Sequence, residues 1–217
     1  MGLTKVELKG LNDGTDGQII TYDANGNPVA VGPGTDGQVL TSTGAGSPPA
    51  FEDAAAGGKI LQVKSTTKKD SQSHSGTDHT LISGLTVSIT PASSSNKILL
   101  IYNVSMGSTG AGYVELRIAR GSTDDINIGD ANGSNTRCTH YRYFDNYYGT
   151  TDYSSLDTYP FAGNYLDSPN TTSAITYGIY FANTAGSYGM IINSSSNTSA
   201  ANYGTSTSTL TAMEVAG

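Results

Sequence analysis

Residues 140–165, HYRYFDNYYGTTDYSSLDTYPFAGNY, concentrate the chemistry of this 217-residue chain: seven of its 14 tyrosines fall between Tyr141 and Tyr165. Tyrosine offers a flat apolar ring with a polar tip and loses little entropy when fixed, which suits recognition surfaces. Asp145, Asn146, Asp152, Asp157 and Asn164 are interleaved and add carboxylates and amides. A ring face for stacking beside groups that bond hydroxyls is what a sugar requires. The candidate contact residues are therefore Tyr141, Tyr143, Asp145, Asn146, Tyr147, Tyr148, Tyr153 and Tyr159. The segment reads as a long connection between strands, and long loops in compact domains are often functional. The competing reading has these tyrosines alternate on strands and pack between copies of the chain, since aromatics enrich interfaces of both kinds. His140 reads as part of the same surface. A second polar stretch, residues 194–206 with Tyr203, reads as a solvated loop.

Metal and catalytic patterns are weaker. Asp23-Ala24-Asn25-Gly26-Asn27 places oxygens at alternate positions, like the opening of a calcium loop. Pro28 stands where that loop needs glycine and Gly34 where it needs glutamate, so this stretch and Asp130–Asn135 both read as Asn-Gly turns. His74 and His79 lie five apart with no third ligand in view, and Cys138 is the only cysteine, so neither a disulfide within the chain nor a thiolate cluster can form. No metal and no cofactor are expected. Cleavage of a glycosidic bond needs two facing carboxylates. Asp124 and Asp125 are adjacent and would point to opposite faces of a strand, while Asp152 and Asp157 have no separation that sequence can supply. There is no G-x-S-x-G, phosphate-binding loop, H-E-x-x-H or dinucleotide fingerprint. The chain is not expected to be an enzyme.

The net charge of −7 argues against nucleic-acid binding, which depends on Lys and Arg at phosphates. Lys64, Lys68 and Lys69 form the one basic cluster and read as a solvated face. No stretch approaches the roughly 18 apolar residues of a membrane helix, so no membrane insertion is expected. No secretory apolar segment follows Met1, which points to synthesis in the cytoplasm.

Two kinds of element must position these residues. Residues 14–31 (GTDGQIITYDANGNPVAV) and 34–51 (GTDGQVLTSTGAGSPPAF) are a repeat offset by twenty, identical at nine of eighteen positions. Each unit reads as a turn, a short strand, a hairpin turn at Asn25-Gly26 or Ala45-Gly46, a proline, and a return strand. Such a hairpin is marginal alone, and repeats of this kind become stable by stacking and by pairing with copies. No apolar heptad is present, so the repeats are not a coiled coil. Residues 52–58 read as a linker. Beyond them, Ile60–Val63, Leu85–Thr90, Ile98–Val104, Tyr113–Arg120 and residues 126–128, 136–143, 174–182, 188–193 and 207–215 read as strands separated by Gly, Ser, Asn and Pro. The expected architecture is all-β: a β-hairpin stalk over residues 1–56, then a β-sandwich or jelly-roll-like head over residues 57–217.

GTDGQVLTSTGAGSPPAF resembles a repeat of bacteriophage tail-fibre proteins, in which a Gly-Gln-Val-Leu-Thr-Ser-Thr-Gly core precedes a proline and an aromatic residue. The block from Lys59 resembles the C-terminal domain of fibre proteins from marine phages, those of cyanobacteria included. The residues concerned are KILQV at 59–63, LTVSITP at 85–91, SNKILL at 95–100, LDSP at 166–169 with TTS at 171–173, and STLTAMEV at 208–215. The resemblance implies a homotrimer in a virion, joined to other virion proteins by its N-terminal region and adhering by its head to a host surface glycan or protein. Only two repeats are present, fewer than in long tail fibres. That leaves open a short tail fibre, a fibre on the head shell, or a purely structural decoration protein. A polysaccharide-degrading tailspike comes third.

Overall fold

The Gly-Thr-Asp-Gly-Gln sequence folds the same way in both repeats. The computed structural model describes residues 13–54, 59–110, 112–121, 124–144, 158–184, 188–195 and 204–217. In the first repeat the Thr15 amide donates to Gln18 Oε1 at 2.8 Å and the Gln18 amide donates to the Thr15 carbonyl at 3.1 Å. Thr35 and Gln38 make the same two bonds at 2.9 and 3.1 Å. Gly17 and Gly37 adopt φ of 80° and 87°, the left-handed region that this turn requires and glycine tolerates. Strand β1 (Ile19–Tyr22) then pairs with β2 (Pro28–Val31), and β3 (Gln38–Thr41) with β4 (Ala50–Asp53). In the first hairpin, Asp23 Oδ1 accepts from the amides of Asn25 and Asn27, both at 2.8 Å. The Asn27 amide is the main reason the Asp23 carboxyl sits below its usual pKa. The carboxylate therefore organises an Asx turn. Ile19, Ile20, Tyr22, Val39 and Leu40 remain exposed within this unit, Met1–Ala56.

The second compact unit, Gly57–Gly217, is a sandwich of two antiparallel sheets. Its strands are β5 (Ile60–Lys68), β6 (Gln72–His74), β7 (Thr80–Ile89), β8 (Lys97–Ser108), β9 (Gly112–Arg120), β10 (Asp124–Ile126), β11 (His140–Phe144), β12 (Thr158–Asp167), β13 (Ile175–Asn183), β14 (Met190–Ile192) and β15 (Ser208–Val215). Eight of them carry the architecture. The first pairs with the last (β5 with β15), the second with the seventh (β7 with β13), the third with the sixth (β8 with β12), and the fourth with the fifth (β9 with β11). This nesting is a jelly roll, with sheets ordered β5-β15-β8-β12 and β7-β13-β9-β11. The short β14 and β6 extend the first sheet, and β10 shares the β9 edge with β11.

The strands pack because every second residue of each, the one facing inward, is apolar. Ile98, Leu100, Tyr102, Val104 and Met106 of β8 face Val114, Leu116 and Ile118 of β9, Tyr177, Ile179 and Phe181 of β13, and Leu210 and Ala212 of β15 in one core. Two features of the sequence reading are corrected. Residues 140–165 hold two strands, β11 and β12, so the segment is not one long loop; the alternation is masked because tyrosine occupies inward and outward positions alike. Lys68 is not on a solvated face. It is 4% exposed, with Nζ 2.9 Å from the Ser83 carbonyl and 3.0 Å from Asp70.

Candidate functional site

β11 divides its side chains between two environments. His140, Arg142 and Phe144 point toward the other sheet, whereas Tyr141 and Tyr143 stand outward, 54% and 46% exposed. Tyr113 of β9 lies directly opposite Tyr143 in the register. Its ring stacks on Tyr141 at 5.6 Å and 23°, and meets Tyr143 at 4.6 Å and 40°. The three rings form a continuous aromatic platform across two strands.

Beside this platform lies an open groove of about 530 Å³, lined by Tyr113, Tyr141, Ser134, Asn135, Thr136 and Thr184. Its far wall belongs to the chain segment between β10 and β11. That segment turns at Gly133 (φ 58°), where the Asn135 amide donates to the Asn132 carbonyl at 3.1 Å. It is held at its base by Arg137 Nε donating to the Gly129 carbonyl at 2.6 Å and by the Thr139 amide donating to the Leu116 carbonyl at 2.8 Å. Hydroxyls and one amide thus face two tyrosine rings, and among the described residues no charged side chain lines the groove.

Charge lies next to the groove instead. Glu115 follows Tyr113 on the outer side of β9, opposite Tyr141 in the register, and is fully buried. His79 Nε2 lies 3.3 Å and Arg117 Nη2 3.9 Å from its carboxylate, while Arg117 Nη1 bonds Asp125 at 3.0 Å. The His79 approach has an ion-pair distance without good hydrogen-bond geometry, so among the described residues neither carboxylate oxygen has a well-formed hydrogen bond. Burial, then the charge of Arg117, holds the His79 pKa below its usual value against the opposing pull of Glu115 and Asp125. Burial, then Tyr113, Glu115 and Cys138, pushes the Tyr141 phenol upward, which keeps it a hydrogen-bond donor at neutral pH.

The remaining candidates separate. Tyr159 is not on the platform: it packs against the core, with its ring edge-on to Phe144 at 5.4 Å and the Arg142 guanidinium 3.5 Å from its centroid. His140 is not a surface residue of this site either. It lies between the sheets, edge-on to Phe161, with Nε2 2.8 Å from the Tyr102 hydroxyl. Burial lowers the His140 pKa and raises that of Tyr102, so the two share this hydrogen bond as neutral groups. Asp145, Asn146, Tyr147, Tyr148 and Tyr153 lie outside the described residues, as does Tyr203. Tyr113, Thr184 and Ser134–Thr136 escaped the sequence reading. Tyr113 carried a usable signal, an outward position on an alternating strand, whereas the other four had none.

The two histidines predict a pH response. A histidine kept neutral in the folded state binds its proton more readily when unfolded, so its contribution is complete above the unfolded pKa of about 6.5 and is lost as pH falls below it. The melting temperature is expected to drop between pH 7 and pH 5.5. His140→Gln, which keeps an acceptor but cannot ionise, should flatten that drop in calorimetry. An unchanged slope would remove His140 from the account.

No protein-family model matches this chain, and no curated protein matches it. Among solved structures, a chain of infectious bursal disease virus Gt strain is 11% identical, with 88% of this chain and 45% of that chain covered and a TM-score of 0.35. The VP2 subviral particle of infectious bursal disease virus is 12% identical, with 83% and 43% covered and a TM-score of 0.31. The chain thus spans less than half the length of these chains. The strand order, and not this likeness, carries the fold assignment.

Proposed function

We propose that this chain is a structural, non-enzymatic protein of a bacteriophage particle, of the fibre type found in marine phages and cyanophages, whose head adheres to a saccharide on the host surface. The observation that carries the adhesive role is the groove: two stacked tyrosines, Tyr141 exposed and Tyr113 half-buried, facing a wall whose described residues offer hydroxyls and an amide. A sugar ring presents apolar C–H faces and equatorial hydroxyls, and the groove offers a partner to each. The described lining residues carry no charge and so suit a neutral saccharide. The fibre reading is supported by the GTDGQ repeats and by their hairpins, which leave Ile20, Tyr22 and Leu40 uncovered as a segment made for pairing with copies would. In this reading residues 1–56 form the stalk and the attachment to other virion proteins, residues 57–217 form the head, and the assembly is a homotrimer.

The test is binding of the full chain to a panel of purified bacterial surface polysaccharides and to intact cells. Wild type is compared with Tyr141→Ala/Tyr143→Ala, both exposed positions where folding should survive. Aromatic anchors at a binding site commonly account for about 2 kcal/mol or more, so affinity should fall by roughly 30-fold or more. Saturable binding that the variant retains would move adhesion elsewhere on the head. No binding by the folded oligomer to any polysaccharide or susceptible strain would favour a decoration protein.

A further inference from the structure

The outer face of the β5-β15-β8-β12 sheet carries an apolar row where a solvated antiparallel sheet should be polar. Its register sets Val63, Met213, Leu99 and Leu166 opposite one another across all four strands. Val63 is 52% exposed and Leu166 47%. In the adjacent row Ile101, 42% exposed, lies between Asn164 and Thr211, whose hydroxyl bonds that of Ser65 at 2.8 Å. Those two hydroxyls satisfy each other, so covering the face would leave neither without a partner. Among the outward positions of these four strands, Lys97 at the rim is the only charged side chain.

We infer that this face is the self-association surface of the head and that its occupant is a second copy of the chain. Three observations select a copy. The chain carries a net charge of −7, so copies repel at most surfaces and can meet without repulsion at a face lacking acidic groups. Four strands about 4.8 Å apart and about eight residues long cover roughly 500 Å² in plan, which with side-chain relief approaches the roughly 800 Å² per partner of a stable interface. Finally, isolated two-stranded hairpins are marginal, so pairing of β1–β4 with neighbouring copies would hold further copies of the chain at high local concentration. The inference names the partner surface of the fibre proposed above; it rests on that reading for copy number alone, and its test involves no saccharide.

The experiment is sedimentation of the full chain over a concentration series, with hydroxyl-radical footprinting of Met213 and Leu166. Wild type is compared with Ile101→Glu/Leu166→Glu, and circular dichroism checks that the variant keeps its strands. Wild type is expected to form a closed oligomer in which Met213 and Leu166 are protected, and the variant to associate at least tenfold more weakly. A wild-type monomer at about 100 µM would overturn the inference. So would an oligomer that labels Met213 and Leu166 as a monomer does, or a folded variant that assembles unchanged. Loss of saccharide binding with assembly intact would count against the adhesive reading only.

Discussion

Replacing Asp167 by alanine is expected to destabilise the head by about 3 kcal/mol. Asp167 sits on β12 in one sheet, 2% exposed, and takes its partners from the other. Arg120 of β9 donates to it twice, from Nε at 3.0 Å and Nη2 at 2.6 Å, and the Tyr177 hydroxyl of β13 donates at 2.6 Å. Tyr177 is fully buried, and burial followed by its bond to Asp167 drives its phenol far above the usual range. Removing the carboxylate leaves a buried hydroxyl without this acceptor and takes two charge-assisted hydrogen bonds from the Arg120 guanidinium. The value is set at the low end for a buried pair because the Arg120 side chain is 29% exposed and can recover some water. Asp167→Asn, which keeps an acceptor for Tyr177 but loses the charge, should fall between. Urea unfolding of the full chain measures both, and a loss under about 1 kcal/mol for the alanine variant would show that the sheets do not depend on this tie.

Glu214→Ala should cost about 2–3 kcal/mol at neutral pH, and the difference from wild type should shrink in acid. Glu214, near the end of β15, is 1% exposed and gathers three donors at 2.6 Å: the Ala92 amide, Asn96 Nδ2 and Gln62 Nε2. These hold the segment that crosses from β7 in one sheet to β8 in the other. Burial by itself would raise the carboxyl pKa, but the hydrogen bonds from Gln62, Asn96 and Ala92 outweigh it and the pKa is lowered. A carboxyl whose folded pKa is depressed contributes stability that is complete above its unfolded value of about 4.3 and is lost as pH falls below it. Chemical denaturation at pH 7 and at pH 3.5 should therefore show a large gap between wild type and variant at the first and a small one at the second. Equal gaps would mean that Glu214 acts through packing and not through its charge.

Much of the fold was legible because alternation and turn chemistry are local. The two hairpins follow from Gly-Thr-Asp-Gly-Gln and Asn25-Gly26, whose bonds span no more than a few residues. β9 announces itself by alternating apolar residues and β8 by an apolar run, and the inward members of both become the core. β12 was hidden because Tyr159, Phe161 and Tyr165 face the core while Pro160, Gly163 and Asn164 between them resemble a loop. β6 is three residues long and too short to carry a period.

The adhesive candidate was legible as composition and illegible as a surface. Sequence alone determined that the chain is built of strands, that its N-terminal repeats cannot bury a core, that its charge opposes nucleic acid, and that tyrosine dominates residues 140–165. Tertiary structure decided which tyrosines act together. Pairing β11 with β9 brings Tyr113 from 28 residues away onto Tyr141, while the pleat sends His140 and Arg142 inward. Likewise, only the nested order β5-β15-β8-β12 lines up Val63, Met213, Leu99 and Leu166, which are scattered over most of the head in sequence. The reason is physical: a strand's own residues specify which side chains share a face, but the neighbours on that face come from long-range pairing, which is settled by the burial of the whole core at once.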